Sequence, residues 1–155
     1  MPFPLVALVL CATLASPSLQ AADTGPVVSP PSARERIDLA REAIRKQDWR
    51  RALAELNRAA RDEPRNADIH NLLGYSYRKQ ARADLPKAFE HYRRAIELDP
   101  RHKGAHEYIG EAYLMDRKPQ EAEKHLAALQ QICGNTTCEE YVDLARAIAD
   151  YKLKN

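Results

Sequence analysis

The feature that most constrains this chain is a spaced series of small and large apolar residues that occurs three times. It is clearest between Asn66 and Pro100, where Leu73-Gly74 is followed by Tyr77, Ala88, Tyr92, Ala95 and Pro100. Ile109-Gly110, Tyr113, Ala122 and Leu126 repeat it downstream, and Leu39-Ala40, Ala43, Ala52, Leu56, Ala59 and Pro64 upstream. Small and large apolar residues recurring at helical spacing read as helices with one apolar face, and a proline ends such a run. A period of this length, repeated, is the mark of a stacked array.

The series resembles the tetratricopeptide repeat (TPR), a helix–turn–helix unit of about 34 residues. The resemblance implies an all-α, right-handed superhelix of three repeats, over about 33–66, 67–102 and 103–136. The chain departs from the pattern in places. Gly74 to Ala88 is two residues longer than Gly110 to Ala122 or Ala40 to Ala52, and Arg82-Ala83-Asp84 take up the excess. His70 replaces the usual tryptophan. Leu129 stands where a small residue belongs, and Gly134 replaces the closing proline.

Helix starts are legible locally. Ser32-Ala33-Arg34-Glu35 reads as a capping box, Asp48, Asn66 and Asp84 as N-caps, and Pro86 and Pro119 as first-turn prolines. Thr137 with Glu140 is expected to open the last helix. Trp49 is expected to pack over the turn between the first two helices. An array leaves an apolar flank at its end. Residues 138–153 supply a capping helix, with Tyr141, Leu144, Ile148 and Tyr151 on one face and charge on the other. The domain thus spans 32–155.

Ahead of it lie two segments of different composition. Residues 1–22 carry an apolar run from Leu5 to Leu14 that ends in small residues. The run is too short for a bilayer, which needs about 20 residues, and fits a secretory signal peptide cleaved after Ala21 or Ala22, with Ala15 as a second site. That implies export and leaves no transmembrane segment. Attachment through a lipid on Cys11 and an uncleaved anchor stay open. Residues 23–31, with three prolines, read as a disordered linker. The protein is expected in an exported compartment, such as a bacterial periplasm. The tail Cys138-Glu139-Glu140-Tyr141, after a cysteine-closed loop, is similar to that of small exported bacterial TPR proteins.

Cys133 and Cys138 flank Gly-Asn-Thr-Thr at the turn before the capping helix. In an exported chain the pair reads as a structural disulfide. A redox-active pair and metal ligation remain alternatives, although two thiolates alone do not complete a zinc site. A redox or metal-handling protein centred on this loop is accordingly the second functional reading.

No phosphate-binding glycine loop and no His-Glu-x-x-His is present, so the sequence shows no catalytic residues, no resident metal and no cofactor. His102 and His106, four apart, suit a metal only if both share a helix face. A net charge of +2 with 30% charged residues gives no case for nucleic acid. The resemblance implies instead a non-catalytic scaffold that takes another protein or peptide in a concave groove lined by the first helix of each repeat. Its lining would be Asp38, Arg41, Ile44 and Arg45; then Asp68, Asn71, Leu72, Tyr75, Arg78 and Lys79; then Glu107, Tyr108, Glu111, Leu114 and Met115. Tyr75, Tyr108, Leu114 and Met115 form more apolar surface than a solvated face requires. Some relatives clamp a peptide's terminal carboxylate with Lys, Asn and Arg. Here those positions hold Ile37, Arg41, Leu72, Gly104 and Tyr108, so the clamp is not reproduced. Neither the partner nor the oligomeric state follows from the sequence.

Overall fold

The computed structural model describes residues 29–155; the signal-peptide segment and most of the linker lie outside them. Seven helices and no strand are present among the described residues: α1 (Ala33–Arg45), α2 (Trp49–Asp62), α3 (Ala67–Lys79), α4 (Leu85–Leu98), α5 (Lys103–Met115), α6 (Pro119–Cys133) and α7 (Glu139–Lys154). None is long and apolar enough to cross a membrane.

The helices begin where local chemistry favours it. The Ser32 hydroxyl accepts from the Glu35 N–H while the Glu35 carboxylate accepts from the Ser32 N–H, the reciprocal capping box. Asp48, Asn66 and Asp84 each accept from the backbone three residues on. His102 caps α5 with its Nδ1, which accepts from Ala105 N–H. The last helix differs from the expectation. Its N-cap is Cys138 and makes no side-chain cap. Thr137 is instead drawn into a turn in which Asn135 Oδ1 accepts from Thr137 N–H, Thr137 O–H and Cys138 N–H.

Consecutive helices pair as α1–α2, α3–α4 and α5–α6, and each second helix packs on the next first helix. In every repeat one bond closes the internal turn. The N–H of Asp48, Asp84 and Lys118 donates to the carbonyl of Ala43, Tyr77 and Tyr113 respectively. The first and third turns are three residues long and put Gln47 (φ 56°) and Arg117 (φ 59°) in the left-handed region. The second turn, Gln80 to Asp84, absorbs the two extra residues, keeps the closing bond and needs no left-handed residue.

The core is three clusters that straddle repeat boundaries. Ile37, Leu56, Ile69 and Leu73 form the first; Phe89, Tyr92 and Ile109 the second; Leu114, Leu129, Leu144 and Ile148 the third. Close approach depends on two glycines. Gly74 lies under the Tyr92 ring and Gly110 under Leu144. The capping helix thereby covers α5 and α6, with Tyr141 and Tyr151 packed at the margin.

Candidate functional site: the concave groove

The first helices α1, α3 and α5 bring Arg41, Ile44, Arg45, Leu72, Tyr75 and Tyr108 around one open pocket of about 260 Å³. These side chains come from three repeats and all carry the register expected of the groove. Its floor is apolar. Tyr75 and Tyr108 rings lie 5.0 Å apart, centroid to centroid, in a tilted arrangement. Trp49 leans on Tyr75 at 6.3 Å. It therefore sits beside the groove's aromatic wall and is more than the cover of a turn. Arg41 and Arg45 stand on the rim, exposed, with Asp38 and Glu42 as their surface ion partners. Lys79 is exposed with its Nζ 5.9 Å from the Tyr75 ring centre. Met115 is exposed at the end of α5.

Four expected groove residues are placed differently. Arg78 is buried and is not a free cation of the surface. Its Nε donates to Tyr92 Oη at 3.2 Å, its Nη1 pairs with Glu111, and its guanidinium lies 5.5 Å from Tyr108 and 5.6 Å from Tyr75. Burial works against that charge, but Tyr92 and Glu111 outweigh it and hold the guanidinium protonated. Arg78 is a prop beneath the two tyrosines. Burial also pushes the Tyr108 hydroxyl up to about 12, so it stays neutral and can donate.

Glu107 is the second difference. It is 8% exposed, and its carboxyl is pushed up to about 8, chiefly by burial and then by Glu111, Asp143 and Glu140. It holds its proton at neutral pH. With Glu111 neutralised by Arg78, the acidic end expected at Glu107 and Glu111 is much weaker than their formal charges suggest. Asn71 is buried beside Gly104, and its Oδ1 has no hydrogen-bond partner. Leu114 belongs to the third core cluster and does not line the groove. In each case a neighbouring helix covers a face that would be open on a lone helix.

At the far end Cys133 and Cys138 Sγ lie at bonding distance, 2.06 Å, with Cα atoms 6.3 Å apart. Their sulfurs and the Glu140 carboxylate form the one cluster of three metal-capable ligands among the described residues. While the sulfurs are bonded to each other, neither is a thiolate free to ligate. His102 and His106 do not converge. His102 Nε2 donates to Asp68 Oδ1 at 3.0 Å, whereas His106 turns to His125.

A family model described as tetratricopeptide repeat matches residues 37–85 and 80–135, more than half of the chain. The chain belongs to the tetratricopeptide repeat family. No curated protein matches. Among solved structures, the TPR2B domain of yeast Sti1 in complex with an Hsp70 peptide is similar at TM-score 0.71 and 18% identity. That match covers 79% of this chain and 98% of the other. The first TPR of Spaghetti (RPAP3) bound to the HSP90 peptide SRMEEVD matches at 0.68 and 16%, over 84% and 100% of the two chains. The Yersinia enterocolitica type III secretion translocator chaperone SycD matches at 0.71 and 16%, over 83% and 97%. At these identities the likeness speaks for the fold, a TPR superhelix closed here by α7.

Proposed function

We propose that this TPR protein is a non-catalytic scaffold that holds an extended or helical segment of a partner protein in its concave groove. The observation that carries the reading is the pocket floored by Leu72, Tyr75 and Tyr108 and rimmed by Arg41 and Arg45. Aromatic anchors on a rigid, propped surface are where binding energy concentrates, and rim charge steers encounter. The complementary segment has apolar residues for the tyrosines and an acidic end for the arginines. A basic end, which Glu107 and Glu111 would suggest by formal charge, finds little to pair with. The relatives bound to Hsp70 and HSP90 peptides support peptide capture as the general mode, although the carboxylate clamp positions hold Ile37, Arg41, Leu72, Gly104 and Tyr108 here. We place the protein in an exported compartment, a bacterial periplasm, on the strength of residues 1–22 and of a cysteine pair suited to an oxidising milieu.

A photo-crosslinking residue at Leu72, in protein recovered from its native compartment, tests this directly. A discrete crosslinked partner is expected, and it should vanish when Arg41→Glu and Arg45→Glu are combined. Tyr75→Ala with Tyr108→Ala should also remove it, with the helical circular dichroism unchanged. Cys133→Ser with Cys138→Ser should spare the crosslink and cost at most roughly 2–3 kcal/mol of stability, the loop being short. A crosslink that survives the groove substitutions but needs the cysteines would overturn the scaffold reading in favour of chemistry at the loop.

A further inference from the structure

One side-chain arrangement recurs in the second and third repeats and takes no part in the groove. His70 Nε2 lies 3.1 Å from the Pro64 carbonyl, and His70 Nδ1 lies 3.2 Å from His91 Nδ1. One repeat on, His106 Nε2 lies 3.1 Å from the Pro100 carbonyl, and His106 Nδ1 lies 3.0 Å from His125 Nδ1. Tyr77 stacks on His91 and Tyr113 on His125. Each chain of contacts ties three pieces together: the turn between repeats, the first helix and the second helix.

The hydrogen bonds fix the tautomers. A carbonyl only accepts, so His70 and His106 carry their protons on Nε2 and offer a bare Nδ1. His91 and His125 must then carry theirs on Nδ1 and donate. Each pair can take up one proton at the outer Nε2 of His91 or His125. A second has no place, because two Nδ1–H groups would meet head on.

The first repeat holds a different pair at the same positions. These are the fourth residue of the first helix and the seventh of the second: Arg36 and Glu55 in repeat one, against His70 and His91, then His106 and His125. Arg36 Nη1 donates to Glu55 Oε2 at 3.0 Å, with both side chains largely buried. The same clasp is thus built once from permanent charges and twice from groups that titrate.

We propose that the two histidine pairs are proton-operated clasps, which hold repeats two and three closed at neutral pH and loosen them in mild acid while repeat one stays clasped. The charged neighbours do not cancel the effect. Around the first pair stand Lys87, Glu90, Arg94 and Glu97 from α4, with Tyr77 from α3. Around the second stand Asp99 and His102 from the turn, Glu121 and Lys124 from α6, and Tyr113 from α5. Burial first, and the partner histidine second, lowers His91 and brings His125 to about 4; burial and then His102 lower His106 against the pull of the Pro100 carbonyl. The sign follows. The unfolded chain takes protons near pH 6.5, the folded chain only further down, so stability is full above 6.5 and is lost toward 4. From His125 alone this lowers the folded-to-unfolded ratio about 30-fold at pH 5.0. The inference does not depend on what the groove holds.

Transplanting the first repeat's clasp tests it. In the variant His70→Arg, His91→Glu, His106→Arg, His125→Glu, the difference in Tm from the natural protein should widen steadily between pH 7.0 and 5.0. Other titrating groups cancel in that difference. A constant difference overturns the proposal. Should the variant not fold, nitrogen-15 spectra of the natural protein's imidazoles decide. Nδ1–H tautomers at His91 and His125, persisting below pH 6, are expected; Nε2–H tautomers at all four rings overturn it.

Discussion

A methyl group on Gly74 would stand 2.6 Å from Cδ1 and Cε1 of Tyr92, a ring with no exposed surface and a hydroxyl fixed by Arg78. The ring cannot retreat without breaking the prop under Tyr75 and Tyr108. Gly74→Ala should therefore cost about 1–3 kcal/mol, read as a lower urea midpoint, and should blunt the groove as well. Glu107 makes an opposite prediction. Its folded carboxyl titrates near 8 against 4.5 in the open chain, so the unfolded state releases the proton first. Stability from this residue is full below 4.5 and falls as pH rises toward 8. Glu107→Gln keeps the shape without the proton. It should be the more stable protein at pH 7 by about 3 kcal/mol, with the gap closing by pH 4.5 in a series of urea melts.

At the level of helices and turns, the two left-handed residues are the strained points. Gln47→Gly and Arg117→Gly relieve a Cβ conflict and should each gain roughly 0.5 kcal/mol. Arg82→Gly, in the longer turn with no positive φ, should gain nothing in the same thermal unfolding series. Much at this scale was readable in advance. Caps at Ser32, Asp48, Asn66 and Asp84 involve residues three apart, and the closing Pro64 and Pro100 act on their own backbone. Such local chemistry is written in consecutive letters. The fate of Arg78, Glu107 and Leu114 was not, because it depends on Tyr92, α7 and Leu144 arriving from elsewhere in the chain. Position on one helix tells which face a residue occupies, but not whether another helix covers it. The histidine pairs lie between these cases. His70 and His91 are 21 residues apart, but Pro64, His70 and Tyr77 recur at equal spacing as Pro100, His106 and Tyr113. That second periodicity is legible in the sequence but lies off the apolar pattern.

Among the described residues each repeat packs on no other repeat but its neighbours, and the ends are unequal. The C-terminal end is sealed by Leu144 and Ile148, each worth about 1.5–3 kcal/mol when fully buried. Among the described residues the N-terminal end has α1 alone, with Leu39 beside Glu35, Asp38 and Glu42. Removing residues 139–155 should uncover Gly110, Leu114 and Leu129 and drive association, seen as a mass above the monomer by light scattering. A truncated chain that remains monomeric with an unchanged melt would show that α7 is dispensable as a cap.

Trp49 is the single tryptophan of the chain, and it leans on Tyr75 at the wall of the pocket. The protein therefore has a built-in optical reporter. Excitation at the red edge of the absorption band addresses that one indole, and its emission depends on how wet its surroundings are. A segment seated against Tyr75 excludes water from the indole and shifts the emission to the blue. A ligand held elsewhere on the molecule leaves the spectrum where it was. Occupancy of the groove can be followed without attaching any dye.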